Sequence, residues 1–564
     1  MDIFDRAASA QLPVGIALVV NPENQLIGTI TDGDIRRAIR KHNSLQISVA
    51  EVMQPNPIFF KEGTPLSVLI REIPAELEKR NRKSRQFLNK IVLVDSNTRP
   101  TRVLEYHQLW EQKVAHHRHL VVVGLGYVGL TMALVMADAG YKVTGVEQDS
   151  AKLTLLNEAV SYIHETGLES LLKNRLNNGF FPAQEIPEDG DVFIISVGTP
   201  VETGMDGNKV PTMSYLRDAS RKIGAKLKPG NLVVLRSTVP IGACRNEVSK
   251  ILEESSGLVC GVDFYLAFAP ERTAEGKALK ELRNLPQIIG GFNTDSLEAT
   301  VAIFKEITPT IVRVDSLEAA EMAKLMNNTY RDYVFAYANE MAKIASGFNL
   351  NIYDVIQAAN KGYPRDPIPL PSPGVGGPCL TKDSHIFASV SGAVSLNPRF
   401  FVNSRITNES MHAHVADRVL QALEIAGKNL SEVKILLCGI AFKGNPETGD
   451  IRNSSALDIF HELKNRVNAV FAYDAVASAQ EIKGEGMLPV NWNTAFKGID
   501  AVLFLNNHRS FENLDPESIL RHMNEHPVLF DGWNLFRKEA VLSVKPSVYL
   551  NLSYMESSIE KNIL

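Results

Sequence analysis

Cys379 stands in GVGGPCLTKD, residues 374 to 383, and is one of only four cysteines in 564 residues. A free cysteine with a pKa of about 8.5 is only a few per cent thiolate at neutral pH, so a nucleophilic role needs help from its surroundings. Lys382 lies three residues on, and a helix opening after the glycines would add its N-terminal dipole. A two-unit fall in pKa needs about 2.7 kcal/mol and a helix terminus contributes about 0.3 to 1, so cationic charge must supply most of it. The glycines let a substrate approach the sulfur, and Asp383 is suited to orient a water or accept a proton. Lys324 and Asn328 are four apart in a stretch with helical apolar spacing. They share a face and offer an ammonium and an amide to one point, as an oxyanion requires.

A second constellation lies upstream. GLGYVGL places Gly124, Gly126 and Gly129 in the GxGxxG arrangement directly after the apolar run LVVV and at the head of an expected helix, with Tyr127 and Val128 between the last two glycines. The first glycine allows a tight turn, the second lets a pyrophosphate approach the backbone, and the third lets helix pack on strand, so the helix N-terminus faces the phosphates. The next strand, YKVTGVEQD, ends at Glu147, where a carboxylate grips both ribose hydroxyls and repels a 2′-phosphate. The expected cofactor is NAD rather than NADP.

These residues need a scaffold of several domains, since 564 residues exceed one hydrophobic core. From residue 120, LVVV, YKVTGV, VFIISV, LVVLRS and YLAFAP read as strands of one parallel sheet alternating with helices. A long helix is expected over about 316 to 347. KILLCGIAFKG, VFAYD, AVLFLN and VLFDGWN mark a second α/β sheet. The expected fold is α/β: two Rossmann-like domains joined by a central helical segment, preceded by a small α+β module. The expected boundaries are 1–116, 117–312, 313–425 and 426–564.

Composition excludes other classes. The chain is 45% hydrophobic and 22% charged with a net charge of -5, which offers nothing to nucleic acid. The start MDIFDRAASAQ lacks a basic segment followed by an apolar run, and no apolar stretch is long enough to span a bilayer, so a cytoplasmic protein without a membrane partner is expected. Cys244, Cys260, Cys379 and Cys438 form no CxxC pair, which argues against a zinc site and a disulfide framework. The tract HHRH, 116 to 119, reads as a polar linker, and no metal is expected.

The first 115 residues contain GIALVVNPENQLIGTITDGDIRRAI, which reads as strand, turn, strand, helix, with a weaker echo in NKIVLVDSNTRPTRVLEYHQLWEQ. This resembles a pair of CBS motifs, in which a Thr-x-x-Asp after the second strand holds the ribose of an adenine nucleotide. Thr31 and Asp34 match, whereas the second half has Glu105 and Gln108 there. The resemblance implies one regulatory nucleotide site; a purely structural or dimerising module is the alternative. The run EKRNRKSR, 78 to 85, reads as a solvated helix face.

GLGYVGL, SVGTP, RSTVP, APER, K-x-x-x-N followed by NE, GVGGPCLTKD and AFKGNPETGDIRNS occur in this order after residue 118. The series resembles the UDP-glucose/GDP-mannose dehydrogenase family. That resemblance implies a four-electron oxidation of a nucleotide sugar's C6 alcohol to a carboxylate with two NAD in succession, in a homodimer or higher homo-oligomer, with the central helical segment as a dimerisation segment. It implies Cys379 as nucleophile, Lys324 and Asn328 on the oxyanions with Lys324 also assisting proton transfer, and Asp383 on water. It implies Glu271 in thioester hydrolysis, Thr238 near water and cofactor, and Thr199 and Lys382 close to NAD. Lys443 and Arg452 fall on the sugar and nucleotide side, where cations suit a diphosphate.

For the sugar, YPRDPIPLPSPGVGGPC puts Arg365 fourteen residues before Cys379, and APER replaces the NPEF typical of UDP-glucose enzymes. Both resemble the branch acting on UDP-N-acetylhexosamines, while Pro378 and the Lys382-Asp383 pair depart from it. UDP-N-acetylmannosamine or UDP-N-acetylglucosamine is favoured, with UDP-glucose and GDP-mannose as alternatives, and Arg365 is expected to reach the substrate, across a dimer interface. Two rival readings stay open: a two-electron hydroxyacid-type dehydrogenase, which has no use for Cys379, and a nucleotide-sensing protein with an inactive dehydrogenase body.

Overall fold

The computed structural model describes residues 15–44, 46–62, 64, 90–105, 118–204, 209–390 and 399–559. At the N-terminus, β1 (Ile16–Val20) and β2 (Leu26–Thr31) form an antiparallel hairpin followed by helix α1 (Asp32–His42). The echo is a second hairpin, β3 (Lys90–Val94) with β4 (Pro100–Glu105), and each hairpin carries a register shift, at Val19/Val20 and at Leu93/Val94. The two tips meet: the Leu26 amide donates to Thr98 O at 3.0 Å and Arg99 Nε to Glu23 O at 3.1 Å. Gln108, the basic run 78 to 85, and His116 and His117 lie outside the described residues. His119 begins a strand and hydrogen-bonds Thr144 Oγ1 through Nε2 at 2.7 Å, so this end of the HHRH tract is engaged within the sheet.

The second unit is built on an eight-stranded sheet. Its strands are β5 (His119–Val123), β6 (Lys142–Val146), β7 (Phe180–Ala183), β8 (Val192–Ile195), β9 (Leu232–Leu235), β10 (Tyr265–Phe268), β11 (Gln287–Gly291) and β12 (Ile311–Val314), in the order β12-β11-β10-β9-β8-β5-β6-β7. All five expected strands belong to it. Every residue of β5, β8, β9 and β10 is buried, the mark of strands covered on both faces. β11 pairs antiparallel with β10 and parallel with β12, so these last two strands run opposite to the other six. The chain order reverses between β5 and β8, which opens a crevice beyond their carboxyl ends. Helix α2 (Tyr127–Asp138) starts there and is buried almost throughout because it packs under the sheet.

Helix α3 (Leu317–Ser346) occupies the expected span, with Ser316 as N-cap accepting from the Ala319 amide. Against it pack α4 (Leu380–Ala388) and α5 (Arg399–Glu409). A buried ion pair joins α3 to α5: Asp332 Oδ1 accepts from Arg405 Nη1 at 2.6 Å and from Asn408 Nδ2 at 2.8 Å, and Asp332 Oδ2 from Ser384 Oγ of α4 at 3.0 Å. With that carboxylate and guanidinium both fully buried, removing either partner leaves an unpaired charge, so the network fixes the three helices relative to one another.

The last unit is a seven-stranded sheet containing β13 (Lys434–Cys438), β14 (Ala469–Tyr473), β15 (Ala501–Phe504) and β16 (Val528–Asp531), as the sequence predicts, with only its final strand antiparallel. Among the described residues no helix is long and apolar enough to cross a membrane.

Candidate active site

Cys379 is the N-cap of α4, so the expected helix does open behind the glycine run. It is exposed, while Cys244, Cys260 and Cys438 are buried. The protein packed round it nonetheless pushes its thiol above the ordinary cysteine value. Burial is the largest cause, Asp383 and Glu275 add to it, and Lys324 and Lys382 pull the other way. Cationic help is the expectation from sequence; burial and the Asp383 carboxylate outweigh it. Iodoacetamide is therefore expected to alkylate Cys379 alone in the folded protein, slowly at pH 7 and faster by up to about tenfold per pH unit as the thiolate fills. Peptide mass spectrometry over pH 6 to 10 checks this, and a rate flat with pH contradicts it.

The glycines before Cys379 have a packing task that the sequence does not show. A Cβ on Gly377, whose φ is +92°, would lie 2.6 Å from the Phe442 ring, and one on Gly376 would lie 2.3 Å from Asn453 O. The run is glycine because the chain presses against the last unit, which brings AFKG and GDIRNS beside the sulfur. Arg405 Nη2 also donates to Val375 O at 3.0 Å, tying this loop to the buried network.

Lys324 and Asn328 both lie on the buried face of α3. Asn328 Nδ2 donates to Asp383 Oδ2 at 2.5 Å, and Lys382 Nζ donates to Asp383 Oδ1 at 3.1 Å and to Thr199 Oγ1 at 3.5 Å. Thr199 Oγ1 donates to Thr238 O at 2.6 Å. The Lys324 ammonium lowers the titration of both Cys379 and Glu271, so its charge acts on each. Glu271 is buried against the fully buried Arg236, and its Oε1 accepts the Arg272 and Thr273 amides at 2.7 and 2.8 Å. Burial raises its pKa, but Arg236 and the amides outweigh that and hold the carboxyl below its usual value. A buried carboxylate kept ionised by such donors is a weak base and a good water anchor.

The glycine loop fits a dinucleotide. A Cβ on Gly129 would lie 1.8 Å from Gly124 O, so only glycine allows this helix-to-strand contact, while the space over Gly126 is open. Glu147 sits at the end of β6, where its Oε2 accepts the Leu125 amide at 3.3 Å and its Oε1 the Gln148 amide at 2.9 Å. Lys443 Nζ donates to Glu275 O at 2.8 Å, and Arg452 pairs with Asp450. Arg365 is not brought to this cleft within the chain; it lies exposed with its guanidinium over Tyr363. In the N-terminal module, Asp34 accepts from Thr31 Oγ1 at 2.6 Å, Arg37 Nη2 at 2.6 Å and Gln54 Nε2 at 2.9 Å. Burial opposes ionisation there, but these donors hold its carboxyl below the usual range.

Profiles of one family cover this architecture: the NAD binding domain of the UDP-glucose/GDP-mannose dehydrogenase family matches residues 118–308, its central domain 318–410 and its UDP binding domain 436–538. The chain belongs to the UDP-glucose/GDP-mannose dehydrogenase family. It is an NAD-dependent nucleotide-sugar dehydrogenase. The UDP-N-acetyl-D-mannosamine dehydrogenase of Pyrococcus horikoshii is 34% identical over 429 residues, 75% of this chain and 97% of the relative. An NDP-N-acetyl-D-galactosaminuronic acid dehydrogenase of Ralstonia nicotianae is 31% identical over 71% of this chain and 93% of its own. Among solved structures, the UDP-D-ManNAc dehydrogenase of P. horikoshii superposes with a TM-score of 0.68 at 31% identity, covering 77% of this chain and 99% of that one. The UDP-N-acetyl-mannosamine dehydrogenase of Staphylococcus aureus gives 0.66 at 33% identity, covering 77% and 98%.

Three groups of this nucleotide-sugar dehydrogenase's cleft escape the sequence reading. Glu275 is raised to about 7, chiefly by burial and by Asp450, with Lys443 and Arg452 opposing. Arg236 anchors Glu271, and Glu165 bonds Tyr127. Arg236 stands two residues before Thr238 in RSTVP and Glu275 four after Glu271 in APERTAEG, so motif-centred reading passes beside both. Nothing in HETGL marks Glu165.

Proposed function

We propose that this enzyme oxidises the C6 alcohol of UDP-N-acetylmannosamine to the carboxylate, with Cys379 holding the half-oxidised carbon. The observation that carries the reading is the convergence of Cys379 and Asp383 from α4 with Lys324 and Asn328 from α3, beside Thr199 and Thr238 of the cofactor domain. NAD, when bound, accepts a hydride from C6 in each of the two oxidations. The first leaves an aldehyde, and the hydroxyl proton passes to water in a transfer that Lys324 assists. The Cys379 thiolate adds to the aldehyde carbon, and Lys324 and Asn328 hold the oxygen of the thiohemiacetal. Loss of the second hydride leaves a thioester. Water held by Asp383 and Glu271 adds to its carbonyl, the C–S bond breaks, and the thiol returns as the acid leaves.

Lys443 and Arg452 face the diphosphate in this reading. The choice of N-acetylmannosamine is supported by the relatives that bear that substrate's name. A panel of nucleotide sugars, UDP-N-acetylglucosamine, UDP-glucose and GDP-mannose included, assayed for NADH with mass spectrometry of products, tests it. Highest kcat/KM for a sugar without an acetamido group would overturn the sugar assignment.

The domain division at 116/117, 312/313 and 425/426 belongs to the same proposal, as do a cytoplasmic location and a homodimer through α3. Exposed Met322, Met326, Tyr330, Tyr333, Tyr337 and Ile344 line one side of that helix, with Phe400 of α5 edge-on to Tyr333, and support the interface. Arg365, exposed in one chain, then reaches the partner's substrate. Tyr330→Glu combined with Met326→Glu is expected to halve the mass seen by light scattering; an unchanged mass contradicts this. The N-terminal hairpins are proposed to take an adenine nucleotide at Thr31 and Asp34, which must displace Arg37 and Gln54; calorimetry of the full chain with AMP tests it.

A further inference from the structure

We infer that Glu165 is a positioning residue that couples the two ligands: through Tyr127 and the Gly276 amide it ties the cofactor's glycine loop to the segment that holds Lys443, so that NAD and the nucleotide sugar strengthen each other's binding. Tyr127 is the first residue of α2, and its backbone belongs to the glycine loop, while its side chain leaves the loop. Its hydroxyl donates to Glu165, and the Gly276 amide donates both to Tyr127 Oη at 2.7 Å and to Glu165 Oε2 at 2.8 Å. Glu165 is buried, so this junction is shielded from water.

Gly276 is held from the other side as well. Its φ is +87°, and a Cβ there would lie 2.5 Å from Glu447 O and 3.0 Å from Pro446 Cβ. The residue before it, Glu275, presents its carbonyl to Lys443 Nζ at 2.8 Å. Beside Glu165, His164 Nε2 lies 3.7 Å from Glu447 Oε1. A continuous chain of contacts therefore runs from the pyrophosphate loop, through Tyr127, Glu165 and Gly276, to Lys443 and the 446–447 turn of the UDP binding domain. A ligand that fixes one end restricts the other, and the effect is reciprocal by linkage. Glu165 acts through Tyr127 and Gly276, the two groups that hydrogen-bond it.

The inference rests on the cleft being a nucleotide-sugar site, and the test separates the two. Calorimetry with UDP on the full-length protein, without and with saturating NAD, is expected to show NAD tightening UDP by about five- to twentyfold. In Glu165→Ala the factor is expected to fall below about two, with KM for the nucleotide sugar up about tenfold and kcat within a few fold, the size of effect expected on losing one strong hydrogen bond. Glu165→Gln keeps an acceptor oxygen and is expected to restore most of the coupling; Tyr127→Phe, which keeps the ring and removes only the hydroxyl, is expected to lose the coupling as Glu165→Ala does. Undiminished coupling in Glu165→Ala and Tyr127→Phe, or no coupling in the unaltered enzyme, overturns the inference while leaving the site assignment standing. No UDP binding by the unaltered enzyme overturns the nucleotide-sugar reading and the inference with it.

Discussion

Cys379→Ser is expected to lower formation of the sugar acid by at least about 10³-fold. The serine hydroxyl is far less acidic than the thiol, and the two ammonium groups that act on position 379, Lys324 and Lys382, cannot bring it to an ionised state at neutral pH. KM for the nucleotide sugar should move little, because the diphosphate is assigned to Lys443 and Arg452 of the other domain and not to the sulfur. Steady-state kinetics with product analysis checks both numbers. A serine enzyme forming acid within tenfold of the normal rate would mean that the exposed thiol is incidental.

Lys324→Ala is expected to cost about 10²- to 10⁴-fold in kcat, since it removes an oxyanion partner and the group that assists proton transfer together. The same change takes away a cation that lowers the titration of both Cys379 and Glu271, so alkylation of Cys379 should slow as well. Lys324→Arg separates the two roles: an arginine keeps the charge but does not deprotonate, so alkylation should recover while turnover does not. A kcat for Lys324→Ala within tenfold of normal, or recovery of turnover in Lys324→Arg, would remove Lys324 from the chemistry.

Much of this site is legible in the sequence because its parts are local. GLGYVGL declares its turn, its helix and its distance to Glu147 in one short stretch, and the four-residue spacing of Lys324 and Asn328 fixes their common face once a helix is assigned. The apolar runs of β5, β8, β9 and β10 are fully buried strands and read as such. Antiparallel β11 is harder to see, since QIIGG is short and two of its five residues are glycine.

What stays hidden is long-range. The approach of Phe442 and Asn453 to the glycine run spans more than 60 residues of chain, and nothing within GVGGPCLTKD shows whether its glycines serve a ligand or a neighbouring domain. Arg236 with Glu271, and Asp332 with Arg405, are charges on apolar elements whose pairing only the folded chain reveals. The titration of Cys379 is hidden for the same reason: its lysines are visible in sequence, but the weight of Asp383 and of the surrounding protein against them is a property of the assembled cleft.

The account turns on one carbon being oxidised twice before it leaves the sulfur. NADH released per sugar consumed measures that directly, with UDP-N-acetylmannosamine as the limiting reagent and the product weighed by mass spectrometry. Two NADH per sugar and a uronic acid without free aldehyde are expected. One NADH per sugar, with the aldehyde or ketone as final product, would contradict it.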